Sequence, residues 1–585
     1  MEFTIIAVVG VIAVVAVAAV SQRIAVAAPL SLVVVGIGLS FLPGLPKIQV
    51  DPEWILAGAL PPLLYATAVH MPAHDFRRDF KAIAGLAVAL VVLTTVCSGL
   101  LFHALLPGLG LASALALGAI ISPTDAVAAT AVGRRLGLPS RLLAILEGEG
   151  LVNDASSLVL LGSAVAATTV SVQLWKVGVD FVYAVVVATA IGLVVGYANV
   201  RIRSLLKDPV LSTALSFAVP FLAWVPAEAL GASGALAAVV TGLVSGHQSP
   251  RFLPARDRVA ETVNWETVAF LLESGIFLLM GLQLKTLLDQ DSAAGLHPLQ
   301  AVWIGLVAAV VAIALRMTFV APMVAALRRD ARRAATFKPQ LEKMQARASD
   351  PELQHRFSAE RLERIGHRIV RTLGDLDFLV AESFGWRGGV VLAWSGMRGV
   401  VTVAAAQSLP EDTPFRPQVV LIAFVVAGTT LLAQGLTLPR VIRALKLPGD
   451  DAAADRAEYR ELVTELSVKA AAILDDPDLA GPGGRPYPAA VLSRAREESL
   501  RQDGDQDGGQ DGNQDGTGGQ DTAASLDLRQ QYRYLMLQVL AAERAELLVA
   551  RSVGRYSSRT LGRAQQALDL MEATLQQVPD LAGPS

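Results

Sequence analysis

The sequence predicts an all-α protein that crosses a membrane many times. Hydrophobic residues make up 53% of the 585 residues and charged residues only 17%, whereas about 25% charged is usual for soluble domains. The mean hydropathy is positive, at +0.50. Apolar runs of membrane-spanning length recur from the N-terminus to about residue 440, and each could cross the hydrocarbon layer as a helix.

Thirteen segments have the length and composition of membrane spans. Their approximate limits are 3–20, 24–43, 54–71, 81–105, 111–133, 142–168, 177–200, 209–227, 231–247, 262–284, 299–328, 387–408 and 417–439. The first run lacks a basic start and a small-residue cleavage site, so we expect a retained helix and not a cleaved signal peptide. The single Cys97 excludes an internal disulfide framework, and the net charge of −3 indicates no particular partner.

The charge of the loops predicts the orientation of the chain. With the N-terminus outside, the first five inside loops carry thirteen Lys and Arg residues and the six outside loops carry four. The positive-inside rule then places the C-terminus in the cytoplasm, and an odd number of spans agrees with this.

The spans divide the chain into a transmembrane domain, residues 1–440, and a helical cytoplasmic tail, residues 441–585. Within the first, residues 329–386 are predicted to form a long Arg-rich, helical cytoplasmic loop. Within the tail, the longest amphipathic pattern covers 523–578. Residues 502–521 contain no apolar side chain and are predicted to be a low-complexity linker, because such a segment cannot build a core.

The linker also matches the start of a calcium-binding loop over residues 503–514. Asp503, Asp505, Asp507 and Gly508 fit that pattern, but position twelve is Gln514, which cannot supply the bidentate carboxylate. A plain linker is therefore favoured over a calcium site.

Polar residues inside the spans are the candidates for function, because a charged side chain at the membrane centre costs about 2.5–3.5 kcal/mol on insertion scales. Span five contains Thr124 and Asp125 directly after Pro123. Proline removes a backbone donor and clashes one turn back, near Ala119, so the pattern predicts a broken helix. Irregular backbone at this depth is tolerated where it is buried in protein or lines a cavity. A kinked helix with a capped break is the structural alternative.

Span six holds four polar residues in eight positions: Glu147, Glu149, Asn153 and Asp154. On a helix Glu149 and Asn153 share a face. Asp154 and Asp125 both lie towards the midplane on antiparallel spans, so they can approach each other. A structural ion pair is the alternative for Glu149 and, with less weight, for Asp154. Glu147 lies nearer the inside surface and is expected to line a water-filled vestibule.

Two arginines complete the set of charged residues inside the spans. Arg316 in span eleven requires a carboxylate partner if it is buried, and Glu149 is the candidate; snorkelling towards the inside loop is the alternative. Arg398 in span twelve lies between Gly396 and Gly399, which favours a second broken helix over a flexible loop entry with a surface arginine. Spans 1–6 and spans 8–13 form two halves of six spans each. The break in span five and the break in span twelve occupy corresponding places in these halves. This predicts two inverted six-helix repeats around a midplane ion site.

Four motifs carry a resemblance to a known family: "SPTDAVA", "EGLVNDASS", "ESGIFLLMGL" and "GMRGVVTVAAA". In this order and spacing they resemble the bacterial sodium/proton exchangers of the monovalent cation:proton antiporter-1 family, over about residues 5–440. "LPPLLYATAVHMP" resembles the family's third span in outline. The resemblance implies that Asp154 is the carboxylate that exchanges cation and proton. It implies that Asn153 marks the electroneutral type, and that Thr124 and Asp125 line the ion site.

The same resemblance implies that Glu149 and Arg316 form a structural ion pair and that Arg398 stabilises the second broken helix. Two positions depart from the family pattern. Gly150 stands where a hydroxyl is frequent, and Ala66 where an acidic residue is frequent. Both changes remove oxygen ligands, which makes a larger ion such as potassium more plausible.

The chemistry predicts a secondary active transporter. A buried carboxylate favours a proton, whereas an oxygen-lined cavity with a cation favours its ionised form, so one carboxylate can hold either. We expect electroneutral exchange of a monovalent cation, Na⁺ first, for protons across the plasma membrane, serving pH and cation homeostasis. A K⁺/H⁺ antiporter of the same fold is the alternative, followed by a cation channel or a proton-conducting subunit of a complex.

The expected partners are Na⁺ or K⁺ and H⁺ as substrates, membrane lipid, and a second copy of the chain in a homodimer. No nucleic acid, no cofactor and no metal beyond the transported cation are expected. The sequence offers no His/Cys cluster, phosphate-binding loop or nucleophile elbow, which argues against an enzyme.

Overall fold

The computed structural model describes residues 2–24, 27–43, 51–169, 174–291, 297–348, 368–369, 372–376, 378, 385–447, 452–477, 479–481, 485–504 and 523–577. Within these ranges the regular structure is helical, and the pairing of β type is a single isolated bridge between Ala480 and Pro486.

The helices of the predicted membrane region are numbered in chain order. They are α1 Glu2–Ile24, α2 Ala28–Ser40, α3 Leu60–His70, α4 Ala73–Arg78, α5 Phe80–Ala84, α6 Val91–Leu105, α7 Leu111–Ile120, α8 Val127–Arg135, α9 Ser140–Thr169, α10 Leu174–Arg203, α11 Pro209–Ala229, α12 Gly234–Phe252, α13 Ala255–Leu282, α14 Leu284–Asp291, α15 Pro298–Ala348, α16 Trp386–Trp394, α17 Val400–Gln407 and α18 Arg416–Leu445. Two π-helical segments, Trp54–Ala59 and Gly85–Leu90, precede α3 and α6.

The prediction of an all-α polytopic membrane protein is confirmed. Each of the thirteen predicted spans contains helix, and spans 111–133 and 387–408 each contain two helices separated by a break. Among the described residues, seven helices are long and apolar enough to cross a membrane: Phe80–Leu105, Ser140–Thr168, Val177–Arg203, Pro209–Ala229, Ala255–Asp289, Pro298–Lys343 and Arg416–Leu445. Val8–Ser21, Ala28–Ser40, Trp54–His70 and Leu111–Ile120 are shorter apolar helices. The number of crossings and the inverted repeat stay predictions.

The chain forms two compact units. The first consists of Met1–Leu253, Ala260–Arg332 and Glu382–Gly449, and the second of Pro254–Val259, Arg333–Ala381 and Asp450–Ser585. The large core of the first unit is built from small and branched apolar side chains of α7, α9, α17 and α18. The second unit contains α19 Ala452–Leu474, α20 Ala489–Gly504, α21 Ala523–Val553 and α22 Ser558–Gln577, which bury Leu, Val, Met and Tyr side chains between them.

Three regions differ from the sequence prediction or lie outside the described residues. Helix α15 continues without a break to Ala348, so the start of the predicted 329–386 loop is an extension of a membrane helix. The 523–578 pattern is two helices, because Gly554 adopts a left-handed conformation (φ 73°) that ends the first. Asp503 lies in the last turn of α20; linker residues 505–521, with the other candidate calcium ligands, fall outside the described part of the chain.

Two interrupted helices position the site. Helix α7 ends at Ile120 and α8 begins at Val127, with Pro123 between them. Helix α16 ends at Trp394 and α17 begins at Val400, with Gly396 and Gly399 between them. Proline prevents the first helix from continuing. At the second break, two glycines leave room for the side chains of Arg316 and Asp125 to approach closely.

Candidate functional site

The two helix breaks contact each other directly. The backbone N–H of Asp125 donates a hydrogen bond of 2.6 Å to the carbonyl oxygen of Met397. The carboxylate of Asp125 turns the other way, and its Oδ1 accepts the N–H of Val127 at 2.8 Å. This satisfies a free donor at the start of α8 and places a negative charge at the positive end of the helix dipole.

The side chain of Arg398 binds backbone carbonyls just beyond the C-terminal ends of α7 and α16. Its Nε donates to the carbonyl of Ile121 at 3.2 Å and its Nη1 to the carbonyl of Gly396 at 2.8 Å. Its backbone N–H donates to the hydroxyl of Thr430 on α18 at 3.1 Å. A cation beside the last carbonyls of α7 and α16 offsets the negative ends of both helix dipoles. Arg398 therefore holds both breaks and not only its own.

Arg316 and Glu149 form a buried ion pair. They are 1% and 2% exposed. Both guanidinium ends bind the carboxylate, with Nη2 at 2.8 Å from Oε2, and Arg316 also donates to the carbonyl of Leu392 at 3.0 Å. The hydroxyl of Thr124 donates to Oε1 of Glu149 at 2.6 Å. The guanidinium thus points into the protein and does not snorkel, and the pair ties α15 to α9, to α16 and to the first break.

Asn153 and Thr124 brace the first break. The Nδ2 of Asn153 donates to the carbonyl of Thr124 at 2.8 Å and to its hydroxyl at 2.9 Å. The hydroxyl of Thr124 therefore accepts one hydrogen bond and donates another, to Glu149. Asn153 is 1% exposed and is not among the residues that line the cavity described next. Thr124 lines that cavity, as predicted for the ion site, and its hydroxyl is bonded to both neighbours on α9. The Nδ2 of Asn153 holds the backbone of the break, and its Oδ1 is buried without a partner among the described residues. That Asn153 and Thr124 bind the ion stays a prediction.

A cavity of about 150 Å³ lies where the breaks meet α3, α9 and α13. Most of its wall is apolar. Its polar side chains include Asp125, Asp154, Glu273, Thr67, Thr130 and Thr402. Asp154 and Asp125 are near enough to interact electrostatically. Within the described chain, no group donates a hydrogen bond to the carboxylate of Asp154 and no cation pairs with it, which sets it apart from Glu149.

Glu147 also lines the cavity, but it belongs to the rim. Its Oε1 lies 2.6 Å from Nη2 of Arg134, whose side chain is 68% exposed. This agrees with the expected vestibule position.

The two predicted departures from the family pattern have different surroundings. Gly150 lines the cavity, and a Cβ there would lie 3.0 Å from the Cβ of Ala126. A serine at this position would crowd the first break. Ala66 instead packs with Val219 and Trp265, and Thr67 is the polar residue of α3 that lines the cavity. Ala66 therefore lies away from this cavity, and its effect on the ion stays a prediction.

Glu273 and Thr402 are cavity residues to which the sequence analysis assigned no role. Glu273 is the first residue of the motif "ESGIFLLMGL". A carboxylate inside the apolar span Ala255–Asp289 is a signal that could have found it, by the same cost argument that selected Asp154. Thr402 gives no comparable signal, because threonine is common in membrane helices.

The comparison with known proteins now decides the family. The family model described as "Sodium/hydrogen exchanger, transmembrane" matches residues 10–444. The chain belongs to the sodium/hydrogen exchanger family. An uncharacterized Na⁺/H⁺ exchanger of Mycobacterium tuberculosis is 28% identical to this exchanger, over 98% of the chain and 97% of the relative. The "Sodium, potassium, lithium and rubidium/H(+) antiporter" of Bacillus pumilus is 28% identical, over 74% of the chain and 60% of the relative.

A solved structure supports the fold of the exchanger. The sodium proton antiporter MjNhaP1 from Methanocaldococcus jannaschii aligns with a TM-score of 0.55 at 16% identity, covering 76% of this chain and 99% of that protein. At this identity the likeness shows a shared fold alone. The resemblance predicted from the four motifs is confirmed.

Proposed function

We propose that this exchanger moves a monovalent cation and a proton in opposite directions, and that Asp154 binds them alternately. The observation that carries the proposal is the environment of Asp154. Its carboxylate faces a largely apolar cavity at the crossing of two broken helices, and no described group compensates its charge. Asp154 is half-buried, and an ionised carboxylate in largely apolar surroundings without a partner is unfavourable. It is therefore neutralised either by a proton or by a cation.

Competition at one carboxylate gives exchange when the site opens to one side of the membrane at a time. A proton bound to Asp154 removes the charge that attracts the cation, and a bound cation favours release of the proton. The crossing of α7–α8 and α16–α17 would move together with α9, which carries Asp154, between the two openings. Arg398 and the Asp125–Met397 hydrogen bond join the two breaks, and Asn153 joins α9 to the first break.

Na⁺ is the first candidate for the transported cation. K⁺ is the second candidate, and two observations favour keeping it. Gly150 leaves the cavity wall without a hydroxyl beside Asp154, and the relative from Bacillus pumilus is named for sodium, potassium, lithium and rubidium. We propose one cation for one proton, because Asn153 places a neutral amide beside Asp154 on the same helix.

The proposed setting is the plasma membrane, with thirteen crossings in two inverted six-helix repeats, the N-terminus outside and the C-terminus in the cytoplasm. The charge of the loops supports this orientation. A homodimer is the proposed assembly, and the protein is proposed to act as a transporter without enzymatic activity.

The test is proton movement in vesicles that contain the purified protein. We expect Asp154→Asn to abolish cation-driven proton movement, whereas Asp180→Asn, which changes an exposed aspartate on α10, leaves it intact. Full activity of Asp154→Asn would overturn the proposal. Conductance without coupling would indicate a channel, and inactivity of the pure protein would indicate a complex subunit. Comparing Na⁺, K⁺ and Li⁺ with and without a membrane potential tests the ion and the stoichiometry.

A further inference from the structure

Glu273 is a second carboxylate without compensation in the exchange cavity. It lies inside the apolar span Ala255–Asp289 and faces the same cavity as Asp154. It interacts electrostatically with Asp125. In the described part of the chain its carboxylate accepts no hydrogen bond and forms no ion pair. Nothing in its own surroundings therefore accounts for a charge at this depth.

The other charged groups at the crossing are occupied. Glu149 is bound by Arg316, and Arg398 is bound to backbone carbonyls. Asp125 accepts the N–H at the start of α8. Among the described residues, Asp154 and Glu273 are the two cavity carboxylates without a hydrogen-bond or ion-pair partner.

Thr402 adds a free neutral oxygen to the same cavity. It is 1% exposed, and its hydroxyl has no hydrogen-bond partner among the described residues. Threonine hydroxyls in helices usually bond to the carbonyl three or four residues back, as those of Thr318 and Thr430 do here. Thr402 lies in the first turn of α17, directly after the break, and forms no such bond. Its oxygen is buried, unpartnered and on the cavity wall.

We infer that Glu273 and Thr402 coordinate the transported cation together with Asp154. Hard cations take oxygen ligands in proteins, and carboxylate and hydroxyl oxygens suit them. The three residues come from α13, α17 and α9, so the coordination would join the second break to two continuous helices. This inference rests on the proposed exchange at Asp154, and it assigns the oxygen ligands that Gly150 does not supply.

The experiment measures the cation concentration for half-maximal exchange, with Na⁺, Li⁺ and K⁺ in turn. Removing one charged ligand is expected to raise that concentration about tenfold or more in Glu273→Gln, equivalent to about 1.4 kcal/mol, with a smaller effect on the maximal rate. Thr402→Val is expected to raise it less, and by different factors for the three ions. Thr402→Ser, which keeps the hydroxyl, is expected to restore it.

Matched controls separate coordination from general damage. Glu266→Gln removes an exposed carboxylate two turns earlier on the same helix, and Thr318→Val removes an exposed helical hydroxyl. Both are expected to keep wild-type half-saturation. If Glu273→Gln does not yield folded protein, Glu273→Asp and Thr402→Val carry the test.

Failure of the coordination and failure of the proposed exchange give different results. Wild-type half-saturation for all three cations in Glu273→Gln and Thr402→Val, with Asp154→Asn inactive, overturns the coordination and leaves the proposed exchange standing. Full exchange in Asp154→Asn overturns the proposed exchange itself. Equal loss of maximal rate for every ion, with half-saturation unchanged, also contradicts a ligand role for Glu273 and Thr402.

Discussion

The backbone amide of Asp125 and the carbonyl oxygen of Met397 are joined by a hydrogen bond of 2.6 Å. A helix break leaves donors and acceptors without intrahelical partners, and here each break supplies a partner for the other. The cavity beside them therefore keeps its shape only while both breaks stay in contact.

Gly399 tests how closely the breaks pack. A Cβ at this position would lie 2.6–2.9 Å from the Oδ2, Cβ and Cγ atoms of Asp125. We expect Gly399→Ala to displace Asp125, to lower the melting temperature in detergent and to remove most cation-driven proton movement. The control is Gly275→Ala on α13, where a Cβ meets nothing within 4 Å. Wild-type exchange in Gly399→Ala would show that this contact is not needed.

The Glu149–Arg316 pair predicts an asymmetric mutant cycle. Arg316→Met leaves a buried carboxylate uncompensated, which we expect to cost about 3–5 kcal/mol of stability. The double variant Glu149→Gln, Arg316→Met removes both charges and is expected to be less destabilised than the single one. The measurement is the free energy of unfolding or the melting temperature of the purified protein.

A second ion pair on the same helix is the control for that cycle. Glu147 pairs with Arg134, which is 68% exposed. Arg134→Ala is expected to change stability by less than about 1 kcal/mol, because exposed ion pairs contribute little. Equal losses in Arg134→Ala and Arg316→Met would contradict the contrast between a buried and an exposed pair.

Asn153 predicts the result of introducing a second aspartate beside Asp154. Its Nδ2 donates to two oxygens of Thr124, and an ionised aspartate would present an acceptor to both. We expect Asn153→Asp to destabilise the first break by about 1–3 kcal/mol and to reduce exchange. Melting temperature and potential-dependent proton flux are the measurements. Unchanged melting together with new potential-driven transport would show that Asn153 is not a brace.

Local chemistry explains why part of the site could be predicted from the sequence. Pro123 and the glycines around Arg398 weaken a helix, and the charged residue beside each of them predicted a break there. Proline alone does not decide this, because α11 continues through Pro220 and Pro226. A buried arginine requires a carboxylate, and this requirement selected Glu149 for Arg316. Contacts that depend on packing did not follow: the hydroxyl of Thr124 is occupied by neighbours on α9 that sequence spacing alone does not fix.

Helix phase decides which residues of α3 line the cavity. The π-helical segment Trp54–Ala59 precedes α3, and its wider turn rotates the following residues relative to a regular α-helix. Thr67 faces the cavity and Ala66 packs against Trp265. The sequence showed prolines in this span but not the π-turn. The place of Glu273 likewise depends on how α13 packs beside the breaks, which no local pattern encodes.

The tail contains a buried carboxylate, which predicts that the stability of the folded tail depends on pH. Burial raises the pKa of Glu543 on α21 from its ordinary value of 4.5 to about 7. Because the folded tail binds this proton more tightly than the unfolded chain, its contribution to stability is fully present below pH 4.5 and is lost as the pH rises through 7. The opening equilibrium of α21 should therefore rise by up to about tenfold per pH unit within that window. Amide hydrogen exchange over Ala523–Val553 in the full chain, corrected for the intrinsic pH dependence, measures it. Glu543→Gln should flatten the profile, whereas Glu546→Gln, which removes a carboxylate 3.3 Å from Lys469 on the same helix, should keep its slope. A wild-type slope in Glu543→Gln would assign the dependence to another group.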